Sequence, residues 1–122
     1  MPQNLNVVEI KAFIPAKDFE LSKRFYTDIG FTKASDGEGV AYFHCGNSAF
    51  LVVDRFEEGS DKPEMHLLVE DVDDWHQKMQ ERGIASRYNV EIGSIKQQPW
   101  RMREFDLFDP SGVRWRVAMN TD

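Results

Sequence analysis

The chain carries a single cysteine, Cys45, so no disulfide can form within it, and this suits a reducing compartment. Long apolar runs are missing as well. None approaches the roughly 18 residues needed to span a bilayer, and residues 1–6 have neither a basic start nor an apolar stretch. No membrane span and no secretory leader are therefore expected, and the expected location is the cytoplasm. Positive charge is in the minority: 15 Lys and Arg face 21 Asp and Glu, for a net charge of −6. That balance argues against nucleic acid as a partner and favours cationic or neutral ligands. No Ser-His-Asp order, phosphate-binding glycine loop or paired-carboxylate pattern stands out. Cys45 has no Cys-His-Asn context and reads as a small apolar filler. What remains is globular. With 122 residues, 41% apolar and 30% charged, the chain suffices for one domain with an ordinary core.

Periodicity orders the chain. Val7 to Ile14 alternates like a strand, with Val8, Ile10, Ala12 and Ile14 on one face. Pro15 ends it, Asp18 caps a helix over 19–29, and Gly30 stops that helix. Leu21, Phe25 and Ile29 supply its buried stripe. A short strand over 31–35, a turn over 36–39 and a hairpin of 40–45 with 49–54 complete the first half. The stretch from Arg55 to Pro63 is rich in charge, Gly, Ser and Pro, and the connector is placed at 57–63. The order then repeats: a strand over 64–70, a helix over 72–82 capped by Asp71 and followed by Gly83, and a strand over 84–88. Val72, Trp75 and Met79 are its core-facing residues, and His76 lies on its polar side. A long polar loop over 89–99 follows, then a hairpin of 102–108 with 113–119 around Asp109-Pro110-Ser111-Gly112.

Counting supports a repeat. Asp18 to Gly30 spans 12 positions, and so does Asp71 to Gly83; the offset of 53 also carries Phe31 onto Ile84. The expected fold class is α+β: one domain over 1–122, with βαβββ modules at 1–56 and 64–122 whose curved sheets enclose a cleft. An unrelated α+β domain with two chance helix caps is the alternative that counting leaves open.

Three stretches carry a family resemblance. Ile14-Pro15-Ala16-Lys17-Asp18 leads through Phe25-Tyr26 to Ile29-Gly30-Phe31. His66-Leu67-Leu68-Val69-Glu70-Asp71-Val72 opens the second half, and Pro99-Trp100-Arg101 leads to Asp109-Pro110-Ser111-Gly112. Together they resemble the glyoxalase/bleomycin-resistance/dioxygenase superfamily, the vicinal oxygen chelate fold, and most closely its bleomycin-resistance branch. Arg101 stands where that branch usually has glycine.

The resemblance implies a scaffold that hosts lyases, dioxygenases, isomerases and metal-free drug-binding proteins. It also implies that modules pair within or between chains, and a homodimer is expected here. In the metalloenzymes, ligands come from the first and last strand of each module. Those positions fall on Lys11, Val52, Glu64 and Arg116, with a one-residue uncertainty at Val52. Lysine and arginine offer no lone pair and valine no ligand atom, so no metal and no cofactor are expected. A slip in register would bring in Glu9 or His66, or add Asp54.

The resemblance thus suggests a metal-free protein that binds a drug- or antibiotic-like aromatic or cationic compound and confers resistance by sequestering it. The alternatives are a metal-dependent lyase or dioxygenase, or a metal-free isomerase or lyase using His66 or Glu64 as a base. Candidate ligand-binding residues are Lys11, Tyr42, His44, Glu64, His66, Trp100, Arg103 and Arg116; no catalytic residue is assigned. Lys11, Glu64 and Arg116 either meet a polar ligand group or form an ion pair in the old metal position. Tyr42 and His44 share a face opposite Phe43 and Cys45, and alternation does not say which pair lines the cleft. Trp100 is either a stacking surface or a lid, and Trp115 should face away from Arg116.

Overall fold

A computed structural model describes residues 2–122. Its elements are β1 (Ala12–Pro15), α1 (Phe19–Ile29), β2 (Thr32–Gly37), β3 (Val40–Cys45) and β4 (Ser48–Val53), then β5 (Glu64–Leu68), α2 (Val72–Glu81), α3 (Ile84–Tyr88), β6 (Lys96–Gln98), β7 (Met102–Phe108) and β8 (Arg114–Asn120). They form two four-stranded sheets of orders β1-β4-β3-β2 and β5-β8-β7-β6. The order is the same in both. In each, the first strand runs parallel to the last and the other pairs are antiparallel. This is the expected α+β architecture, with the two sheets left open rather than closed on each other.

The caps act as the sequence indicates. Asp18 accepts a hydrogen bond from the Leu21 amide at 3.1 Å, and Asp71 one from Asp74 at 3.0 Å. Gly30 ends α1 at φ +122°, a conformation that favours glycine. One face of α1 buries Ser22, Phe25, Tyr26 and Ile29, while α2 buries Val72 and Met79. A single core joins the halves. The Tyr26 ring lies 5.0 Å from Phe50 of the first sheet and 5.7 Å from Trp115 of the second. The Trp115 indole donates to the Tyr26 hydroxyl at 3.0 Å, which in turn donates to Asp109 at 2.5 Å.

Several sequence expectations need correction. The strand expected over 7–14 pairs only from Ala12, matched to Phe50, and residues 2–11 run without regular structure. Alternation shows which side chains share a face; it does not supply a neighbouring strand to take up the backbone hydrogen bonds. The strand expected at 84–88 is the short helix α3. Over five residues, period 2 and period 3.6 both place Ile84 and Tyr88 on one side, so the pattern cannot choose. Burial of Ile84 and an edge-on contact of Tyr88 with Phe25, 5.3 Å between centroids, select the helix. The matching strand, β6, forms later, inside the expected loop. His76 is not simply exposed: it is half-buried, bonds to the Gly93 carbonyl at 3.0 Å and meets Phe105 edge-on. Trp75 only partly enters the core, whereas Trp115 is buried and faces away from Arg116 as expected.

Candidate functional site

Each sheet turns one face to the shared core and leaves the other open. Residues alternate between these faces. On the first sheet Ile14, Phe43, Phe50 and Val52 point inward, so Phe13, Tyr42, His44 and Leu51 lie outward. On the second, Phe105, Leu107, Trp115 and Val117 point inward, leaving Glu104, Asp106, Arg114 and Arg116 outward. Register settles the question that alternation left open: Tyr42 and His44 face out, and Phe43 and Cys45 face the core.

The first open face carries a compact cluster. The Tyr42 hydroxyl donates to both carboxylate oxygens of Glu9 at 3.0 Å. The Lys11 ammonium lies 3.2 Å from Glu9 and 4.6 Å from the centre of the Tyr42 ring, and His44 adjoins Tyr42 at 6.0 Å. The Tyr42 hydroxyl and then Lys11 hold the Glu9 carboxyl below its ordinary range, while the hydrogen bond to Glu9 raises the Tyr42 phenol. Glu9 belongs to this cluster, though sequence reasoning admitted it only as a register slip. Its signal was its parity with Lys11, two residues on.

The second open face is a charge network. Glu64 lies 2.7 Å from Arg116 Nε and 3.6 Å from Arg114 Nη1, and Arg114 donates to Asp106 at 2.8 Å. That bond to Asp106 holds the Arg114 guanidinium above its ordinary value. His66, opposite Arg116 in register, is exposed. Arg114, Asp106 and Glu104 were missed. Alternation along the last hairpin would have shown them sharing a face with Arg116.

Not every candidate gathers here. Arg103 lies on the helix side and grips Asp73 of α2 through Nη2 at 2.7 Å and Nε at 3.3 Å, so it braces the helix. Val52 is fully buried, and its neighbour Leu51 occupies the outward position of β4. Trp100 is 55% exposed on the β6–β7 turn, followed by Arg101 at φ +62°, the left-handed conformation that a glycine would adopt freely. Among the described residues no hydrogen bond, ion pair or aromatic contact links the two open-face clusters. The chain holds two separate open-face clusters.

A divalent metal does not fit either. No group of three His, Cys, Asp or Glu side chains among the described residues could hold one. Lys11 presents a fixed cation where a ligand would sit, and the Glu64 carboxylate is engaged by two guanidinium groups.

All three tyrosine phenols are raised. Burial and Asp109 raise Tyr26, and Glu9 raises Tyr42; burial and the hydrogen bond to Asp28 push Tyr88 up to about 12. A free tyrosine is about three-quarters ionised at pH 10.5. Absorbance at 295 nm should show much less tyrosinate than that at this pH while the protein is folded. Because the folded pKa values lie above the unfolded ones, the stability these phenols contribute is intact below about pH 10 and is lost as pH rises through their folded values. Ordinary tyrosine titration in the folded protein would contradict the buried and bonded phenols.

The sequence profile of the Glyoxalase/Bleomycin resistance protein/Dioxygenase superfamily matches residues 6–117. Among solved structures, a bleomycin resistance determinant encoded on the transposon Tn5 superposes with a TM-score of 0.81 at 19% identity, covering 93% of this chain and 98% of that one. A bleomycin-binding protein complexed with bleomycin gives 0.79 at 19% identity, with 93% and 99% covered. TnmS3, an antibiotic binding protein from Streptomyces sp. CB03234, gives 0.74 at 23% identity, with 97% and 100% covered. No curated protein matches the chain.

Proposed function

The chain belongs to the glyoxalase/bleomycin resistance protein/dioxygenase superfamily, and from that premise we propose that it is a metal-free protein that binds a small aromatic or cationic compound. The observation that carries this reading is the donor set. Where the family's metalloenzymes have ligands, this chain has Lys11, Leu51 or Val52, Glu64 and Arg116, joined into ion pairs or apolar. The likeness to bleomycin-binding and antibiotic-binding structures supports the same direction. Catalysis by Glu64 or His66 is less favoured. Glu64 is neutralised by arginines, and among the described residues no carboxylate or carbonyl orients the His66 ring.

The working form in this proposal is a homodimer, in which the half-site of one copy meets the other half-site of its partner. The support is the arm ahead of β1, where Leu5, Val7, Val8 and Ile10 are 79–100% exposed. Monomers seldom leave so much contiguous apolar surface in water. No helix among the described residues is long and apolar enough to cross a membrane. A cytoplasmic location is proposed from the lone half-buried Cys45.

A thermal-shift screen of metal salts, thiols and planar compounds tests the function, since a true ligand stabilises by mass action. Planar aromatic compounds should raise Tm, and zinc, nickel and manganese should not. The hits should quench tryptophan fluorescence through exposed Trp100, and Trp100→Ala should lose most of the quenching. Its affinity should fall about fivefold, the value of an exposed cation–π contact. A metal response without any planar hit would overturn the proposal.

A further inference from the structure

The two halves differ most in one connection. Gly30 and Phe31 alone join α1 to β2, whereas residues 82–95 join α2 to β6 and include α3. Nothing in the repeated architecture requires that extra length, and segments added to a rigid frame are where binding commonly resides. Between α2, α3 and residues 92–94 the extra segment leaves a groove of about 480 Å³. That volume suits a small organic molecule. Its walls are tied down. Ile92 bridges to Leu107 of β7, the Gly93 amide donates to the Asp106 carbonyl at 2.8 Å, and the Gly93 carbonyl accepts from the His76 ring at 3.0 Å.

The lining decides the chemistry. The chain is 30% charged, yet no Asp, Glu, Lys or Arg lines this groove. An ion would give up water for a site without a counter-charge, so the groove suits a neutral molecule. Met79 and Ile84, buried in the core on their other sides, join Ile92 as an apolar bed for a ring. His76 adds a single polar feature. A carbonyl oxygen only accepts, so Nε2 carries the proton that goes to Gly93. In the neutral ring Nδ1 is then an acceptor, and among the described residues nothing donates to it.

We infer that this groove binds a small neutral ring compound bearing one hydrogen-bond donor, of the phenol or indole kind, with His76 Nδ1 as the acceptor. None of the lining residues belongs to either open-face cluster, so this is a second site and goes beyond the function proposed above.

The test uses the full chain and four probes, each titrated and followed by amide NMR shifts. Phenol carries the ring and the donor. Anisole keeps the ring and the oxygen but has no donor, and benzoate and benzylammonium add a charge of either sign. Phenol should shift Ser86, Ile92 and Ser94 most. Anisole should bind about fivefold more weakly, the worth of one neutral hydrogen bond. The two ions should bind about tenfold more weakly. His76→Phe keeps a ring against Phe105 and should lower phenol to the anisole level while leaving anisole unchanged. Ala85→Trp, at an exposed position on the rim, should obstruct phenol and anisole alike without disturbing the core. Trp100→Ala should change neither.

Phenol that shifts none of these amides overturns the inference. So do equal affinities for phenol and anisole, an ion that binds as tightly as phenol, or phenol affinity unchanged in either groove variant. If phenol binds only after residues 2–10 are removed, the arm of a second copy is the groove's occupant and the inference fails. Binding that depends on Trp100 is read from different probes and a different variant, so that proposal stands or falls separately.

Discussion

Replacing Asp109 with alanine is expected to destabilise the fold by about 4 kcal/mol, because three donors lose one buried acceptor and each orphan costs roughly 1–3 kcal/mol. Asp109 is 3% exposed. One of its oxygens accepts from the Ser111 and Val113 amides, both at 2.9 Å, and so shapes the β7–β8 turn. The other accepts from the Tyr26 hydroxyl, which Trp115 also bonds. The carboxylate therefore ties α1 of the first half to the last hairpin of the second. Asp109→Asn keeps a carbonyl for the two amides and should cost about half as much.

Burial raises the Asp109 carboxyl above its ordinary value. For an acid raised in the folded state, its stabilising contribution is full below about pH 4 and falls as pH rises through the folded value. The deficit of Asp109→Asn against wild type should therefore shrink on going from acid to neutral pH. Urea midpoints at several pH values measure both effects. An alanine variant within about 1 kcal/mol of wild type would show that the turn and the Tyr26 bond are dispensable.

Deleting residues 2–10 should convert a dimer into a monomer. The extended arm exposes Val8 and Ile10 on one side and Leu5 and Val7 on or near the other, at 79–100% each. Covering such side chains yields roughly 1.5–3 kcal/mol apiece, and a symmetric pair of arms doubles the gain. The geometry for cover exists: β1 and β5 are edge strands of their sheets, with backbone groups able to receive another extended segment. Light scattering should give the full chain twice the 14.2 kDa of one copy, and the shortened chain a single copy's mass. Val8→Lys with Ile10→Lys should act like the deletion without shortening the chain. A full chain that stays monomeric at high micromolar concentration would defeat the expectation, as would an arm-deleted chain that still dimerises.

Much of the architecture is legible in the sequence. Asp18 and Asp71, each followed by a stripe of apolar residues and a glycine 12 positions on, located both long helices. Alternation located the hairpins and placed Trp115 opposite Arg116. These signals are local. A cap needs an oxygen three residues from an amide, and a strand face needs period 2, so neighbours in the chain carry the whole message.

The candidate site was only half legible. Lys11, Tyr42, His44, Glu64, His66 and Arg116 do reach open sheet faces, but they fall into two clusters. Arg103 instead braces α2, and Trp100 stands on an exposed turn. Val52 shows why: a shift of one residue moves a strand side chain to the opposite face, and the sequence located the last strand of the first half only to within that one residue.

Composition, caps and periodicity by themselves determined an α+β chain of two repeated halves, and the resemblance of three stretches pointed to its family. Tertiary structure alone decided that 84–88 coils, that residues 2–11 find no strand within the chain, and that the charged residues of the open faces form two separate clusters. Those outcomes depend on pairing across strands and on burial between elements far apart in the sequence. Such energies are settled by which groups meet, and no local pattern records that.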